Sequence, residues 1–343
     1  MRGWALIAVV ALTAAVPLAR AASESGIRQL PTGGFVAEIS ADGARVAIQV
    51  YNGRGCDGIS VWSPLSADRR FVHCSNTCPT IADAISLGGT RLLWEDGISG
   101  NTYSGFDILT TDTRFRREPD DLYSYENTHD DQNGEYYGPQ AGPFAAHGSL
   151  LVFETYMLQV SGASTDPKLW RVDGGHKRFI RGGLDFSSLS VDAGRIAGAV
   201  LHGPVLLLGR DGHTIRTFDP AVPGPRTVVL RGNRLAVVGG GRIAVFDTRS
   251  GRLETSRALP AKARFQDYAE GVAALVIGRS IQVFRVVDGR DRVVATLHAR
   301  GLDLAATLAQ LEPVGLYYAF SAENSNGGRV VFVPWKTVQQ ILH

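Results

Sequence analysis

Cysteine is scarce: the 343-residue chain carries three, Cys56, Cys74 and Cys78. That excludes a disulfide-built scaffold, which packs more cysteines into a far shorter chain. A surplus of charge is absent as well. Lys and Arg number 35 against 33 Asp and Glu, so the basic face that a nucleic-acid binder needs is not expected. Long hydrophobic runs are confined to the start. Beyond Val16 the best stretch, Ile196 to Leu208, is broken by His202 and Pro204, and no span is expected there. Catalytic signatures are missing too. There is no Gly-x-Ser-x-Gly elbow, no Ser-x-x-Lys, and no pair among the eight histidines with HExxH spacing. No catalytic residue is assigned on these grounds. A Ser–His–Asp set gathered from distant segments leaves no motif, however, so a site of that kind stays open.

What is present begins with a leader. Arg2 precedes an apolar run from Trp4 to Val16, Pro17 breaks it, and Ala19-Arg20-Ala21 has the small-x-small form of a cleavage site. Residues 1–21 therefore read as a secretory signal peptide. The apolar run is short of the roughly 20 residues that cross a bilayer. Residues 22–343 are expected as one domain, secreted or otherwise extracytoplasmic in the cell envelope, and monomeric. An exported chain meets an oxidising environment. Pairing Ile59–Trp62 with Arg70–His73 as a hairpin puts Cys56 opposite residues 75–77. A disulfide from Cys56 to Cys74 or Cys78 follows, with one thiol left over. A zinc site using these cysteines and His73 is the weaker reading, because Cys-x3-Cys is not a standard finger spacing.

Arg231 to Pro260 is the template for the rest. Leu235, Val237 and Val238 form one apolar run, closed by Gly239-Gly240-Gly241. Ile243, Val245 and Phe246 form the next, closed by Asp247 to Gly251, and a more polar run follows to Leu259. Such runs between Gly, Asp and Ser are strands in tight hairpins. The Gly239–Arg242 stretch is not a phosphate cradle, since a strand and not a helix follows it.

Seven second strands align on this pattern. They begin at Arg45, Arg91, Leu150, Arg195, Arg234, Val272 and Leu316. Seven third strands follow them, among them Ile59–Trp62, Val205–Leu208 and Val330–Val333. A period near 40 residues with four strands per unit is the signature of a β-propeller. The phrases VFDTRSGR (Val245 to Arg252), LWRVDGG (Leu169 to Gly175) and SVWSP (Ser60 to Pro64) resemble the outer hairpins of WD40-like and TolB-like propellers. No Trp-Asp pair accompanies them, so the resemblance implies the architecture and no functional residue.

The expectation is an all-β, single propeller of seven four-stranded antiparallel blades, with six or eight as the alternatives. The end of the chain, with Val338, Ile341 and Leu342 at helical spacing, offers no fourth strand to the last blade. The N-terminal Gly26–Leu30 is expected to supply it and close the ring.

One anchor gap is longer than the rest. It holds Arg114 to Tyr137, read as an acidic insertion of about residues 114–137. Within it Asp130, Asp131, Asn133 and Glu135 crowd oxygen ligands together, which makes a Ca2+ site the metal candidate and a solvated loop the simpler reading. No other cofactor is expected. Tyr123, Tyr125, Tyr136 and Tyr137 beside it form either a recognition patch or packing against the ring. On function, the repeat without a convergent catalytic set points to a non-enzymatic binding or scaffold module. It would meet a protein or glycan of the cell envelope through one face or the central funnel. A hydrolase or lyase with its site in the funnel is the alternative, and it requires titratable groups from several blades to converge there.

Overall fold

A computed structural model describes residues 26–343 apart from 52–56, 67, 75–83, 100–102, 129–137, 160, 225, 299–301, 304–306 and 322–326. The chain is a ring of seven four-stranded antiparallel sheets. Each blade runs outward from an innermost strand. Those seven are β2 (Phe35–Asp42), β6 (Ile85–Gly88), β10 (Gly138–His147), β14 (Phe186–Asp192), β18 (Thr227–Arg231), β22 (Arg264–Ala269) and β26 (Leu308–Glu312).

The blades stack face to face, so an inner blade strand is covered on both sides. This is why second strands read as continuous apolar runs and not as alternations. In β19 (Arg234–Gly239) every residue after Arg234 is buried. The outer strands behave differently: β25 (Arg290–Thr296) is exposed along its first four residues. Seven apolar clusters hold the ring, each wedged between two neighbouring blades. Phe218 and Phe246, for example, meet at 5.3 Å between the fourth and fifth blades.

The ring closes as the sequence suggests. β1 (Arg28–Pro31) pairs antiparallel with β28 (Gly328–Pro334), Arg28 opposite Phe332 and Pro31 opposite Arg329. The last blade thus has the order β1-β28-β27-β26, with β27 spanning Gly315–Ser321. Helix α1 (Trp335–Leu342) follows and buries Val338 and Leu342 against the last two blades.

Part of the stretch read as an acidic insertion is structural. Asp120–Thr128 is β9, the outer strand of the second blade, paired with β8 (Tyr103–Asp112). Tyr123 stacks on Phe106 at 5.8 Å, and Lys177 Nζ sits 4.4 Å from the Tyr123 ring centre. The first contact packs β9 onto β8 within the second blade, and the second joins the second blade to the third. Asp130, Asp131, Asn133, Glu135, Tyr136 and Tyr137 lie outside the described residues, as do Cys56, Cys78 and the leader. Cys74 ends β5 (Asp68–Cys74), its backbone opposite Gly58. At Gly239–Arg242 the chain makes a hairpin turn with Gly240 and Gly241 at φ 53° and 71°, as its glycines require.

Candidate functional site

An innermost strand has a free edge facing the channel, and its unpaired N–H groups need acceptors. Side chains of the preceding blade supply them. Ser40 Oγ accepts from Leu87 N at 2.8 Å, Ser190 Oγ from Leu230 N at 2.9 Å, and Asp267 Oδ2 from Leu311 N at 2.9 Å. Gln310 Oε1 accepts from Ala41 N in the same way. One rung further on, Asp42 takes the Gly89 N–H, Asp192 the Gly232 N–H and Glu312 the Gly43 N–H. These short polar side chains stitch the blades into a ring from inside.

The upper rung is where charge accumulates. Each innermost strand enters its first hairpin through a two-residue turn, and the residue just before that turn points to the channel mouth. Around the ring these are Asp42, Gly88, His147, Asp192, Arg231, Ala269 and Glu312. His147 Nδ1 lies 3.1 Å from Asp192 Oδ1, and Nε2 lies 3.4 Å from Asp42 Oδ1 and 3.7 Å from Glu312 Oε2. Arg231 reaches Glu312 Oε1 at 3.2 Å and Asp267 Oδ2 at 3.4 Å. Six blades thus meet at one point; the second contributes the backbone of Gly89.

The electrostatics follow from burial and pairing. Pairing with Asp192 first, and with Glu312 next, raises the His147 imidazole to about 10. Burial alone would lift the Asp192 carboxyl, but His147 and the Gly232 N–H outweigh it and hold it low. Burial would lower the Arg231 guanidinium, yet Asp267 and Glu312 keep it above its ordinary value. Asp267 is raised by burial, with Arg231 opposing. Each carboxylate is met from within the ring by a cation or a backbone N–H.

Two spaces adjoin it, and a third lies beside the second. The channel below, about 230 Å3, is lined by polar groups such as Ser86, Ser188, Gln266 and Gln310. Above the cluster a cavity of about 410 Å3 has His147, Asp192 and Arg231 in its wall and extends to Arg234, Glu254 and Glu270. A neighbouring cavity of about 440 Å3 shares Arg234, Glu254 and Tyr268 and continues to Trp335 and Gln339 of α1. The two lie side by side on the hairpin face between the channel mouth and the C-terminal helix, and together are termed the groove. Arg234 Nε and Glu254 Oε2, 3.0 Å apart, stand at its middle.

None of the channel-mouth residues was singled out by motif. A signal existed: His147, Asp192 and Arg231 each stand three residues before a second-strand anchor, and aligning that column exposes the set. The funnel is not lined only by apolar and backbone groups; titratable residues from several blades do converge in it.

No protein-family profile and no curated protein matches the sequence. Solved structures do. A chain of a mitotic checkpoint complex is similar with a TM-score of 0.53 at 14% identity, over 90% of this chain and 93% of that one. The WD40 propeller domain of Doa1 gives 0.50 at 11% identity, over 87% and 92%. The CNH domain of AfRom2 gives 0.53 at 9% identity, over 90% and 99%. At such identities the likeness shows the fold alone, a WD40-type propeller.

Proposed function

We propose that this chain is a non-enzymatic binding or scaffold module that works outside the cytoplasm as a monomer. Its partner is a protein or glycan of the cell envelope, met through the hairpin face. The observation that carries this reading is the internally paired cluster beside the cavities of the hairpin face. Asp42, Asp192, Asp267 and Glu312 are held by His147, Arg231 and backbone N–H groups, which stiffens the face rather than leaving a free acid or base. A rigid face with a polar-rimmed groove suits recognition. The propeller fold, shared with WD40 domains, fits this role. Among the described residues no helix is long and apolar enough to cross a membrane.

The test is a pull-down from envelope and culture-medium fractions with tagged chain as bait. A second bait carries Arg234→Glu and Trp335→Ala in the groove. A partner kept by the first bait and lost by the second supports the reading; turnover of a substrate by the pure chain sinks it. The export half rests on the leader, Arg2 through Ala21. Non-reducing peptide mapping of chain recovered outside the cytoplasm is expected to find Cys56 joined to Cys74 or Cys78, and three free thiols would refute that pairing.

A hydrolase or lyase is the second reading, favoured by one observation: His147 and the carboxylates around it come from separate blades and meet beside a cavity. A substrate screen that yields turnover abolished by His147→Gln would establish it.

A further inference from the structure

Three side chains at the channel mouth each have one atom tied away and another left facing its fellows. His147 commits Nδ1 to Asp192 at 3.1 Å. Asp42 commits Oδ2 to the Gly89 N–H. Glu312 commits Oε1 to Arg231 at 3.2 Å. What remains is His147 Nε2 with Asp42 Oδ1 3.4 Å away and Glu312 Oε2 3.7 Å away. Ligand atoms of all three residues lie within 4.8 Å of one another.

Nε2 pairs with both carboxylates only loosely. An N–H···O hydrogen bond centres on about 2.9–3.0 Å, shorter than either. Two donors bound about 2.0–2.2 Å from a shared metal ion stand roughly 3 to 3.6 Å apart, close to what is seen. Each carboxylate oxygen also takes one backbone N–H, from Gly148 at 3.3 Å and from Gly43 at 3.1 Å, which occupies one lone pair and leaves another. The outer contacts are of three kinds, a carboxylate on the imidazole, an amide on Asp42 and a guanidinium on Glu312. Groups so placed orient metal ligands in general. The charge balance agrees: Asp42, Asp192, Asp267 and Glu312 outnumber His147 and Arg231, and a dication offsets part of the excess.

We propose that His147, Asp42 and Glu312 bind one divalent transition-metal ion at the channel mouth, aimed by Asp192, Gly89 and Arg231. One imidazole nitrogen with two carboxylate oxygens suits an ion of the zinc or manganese class; calcium prefers an all-oxygen shell. His147 also lines the cavity of about 410 Å3, which places the ion beside a space that can hold water or an anionic ligand.

The test strips the purified chain with a chelator and titrates it with Zn2+ alone and with Co2+ alone. Saturation at one equivalent is expected, with visible Co2+ bands of a low-symmetry site. His147→Gln, Asp42→Asn and Glu312→Gln are expected to abolish saturation. Asp192→Asn is expected to weaken binding by about 10–100-fold, and Glu254→Gln, in the same cavity but outside the set, to bind as the unaltered chain does. Should a variant fail to fold, anomalous scattering from Zn2+-soaked crystals of the unaltered chain still decides. A peak between the three residues upholds the site. A peak only elsewhere, or no saturable binding of either ion, overturns it. Loss of the envelope partner would leave this result untouched, since the two measurements share no readout.

Discussion

His147 and Asp42 occupy equivalent positions in the third and first blades, each just before a first hairpin turn, and meet at 3.4 Å across the channel mouth. Equivalent positions in a ring point at a common axis. Side chains far apart in sequence therefore converge there without any local motif. The same geometry governs the other members of the rung, and it makes the network at the mouth accountable to single substitutions.

Arg231 is the cation that Asp267 and Glu312 share, and all three are largely buried. Arg231→Met leaves two buried carboxylates without their partner and is expected to cost about 3–5 kcal/mol. Adding Asp267→Asn is expected to restore part of the loss. Urea unfolding of the metal-free chain measures both; a loss below about 1 kcal/mol for the single variant would mean that the pair does not hold the rung.

Glu154 gives the pH dependence. It is fully buried in β11 (Leu150–Leu158), and that burial pushes its carboxyl up to about 8, against the opposing Phe186 N–H. A carboxyl raised in the folded state binds more protons folded than unfolded between its ordinary value and about 8. Stability from this group is thus full below the ordinary value and falls as pH rises through about 8. Glu154→Gln, which still accepts from Phe186 N, is expected to flatten that fall and to be the more stable protein at pH 9. Melting curves across pH for the two chains check it; parallel curves would sink the assignment.

Gly89 and Gly43 separate two causes of strain. Both have left-handed backbones, φ 54° and 59°. A Cβ on Gly43 meets nothing, whereas one on Gly89 runs into the carbonyl oxygen of Gly148 in the next blade. Gly43→Ala is expected to cost about 1 kcal/mol, the left-handed penalty alone. Gly89→Ala is expected to cost at least twice as much, because backbone must move. Thermal melts of the pair rank them, and equal losses would contradict the close approach.

Removing residues 26–31 takes away β1 and leaves the β28 edge bare. The shortened chain is expected to melt lower and to self-associate through that edge. Light scattering with concentration shows it; an unchanged monomer with an unchanged melt would rule out a closing role for β1.

Much of this architecture was legible in advance. Runs such as Leu235–Val238 and Ile243–Phe246 are apolar on both faces because blades cover both faces, and their glycine turns mark the period. β9 was obscured because Asp120, Asp121 and Glu126 outweigh the alternation in which Leu122 is buried. The channel-mouth set was obscured for another reason. Gly88 and Ala269 fill two of its seven positions, so the column shows no uniform residue type. What unites it is the axis, which only the closed ring creates. In the last blade the anchor is Gly315 and not Leu316, one residue earlier than the apolar run suggests, and that slip hides Glu312 as well.

The pairing of Arg28 with Phe332 fixes an order of events. Among the strands of the ring β1 is made first and its partner β28 last, so during synthesis the first strand waits unpaired until the other blades have followed. The entropy of joining ends that far apart grows only slowly with length, so the delay is one of timing more than of energy. Earlier blades can stack as they emerge, but the ring seals only when the sequence has been read to its final strand. A chain cut short before Arg329 lacks every partner of β1 and therefore cannot pass for a finished one. Its own beginning remains an open edge, and quality control that recognises such edges would act on incomplete copies alone.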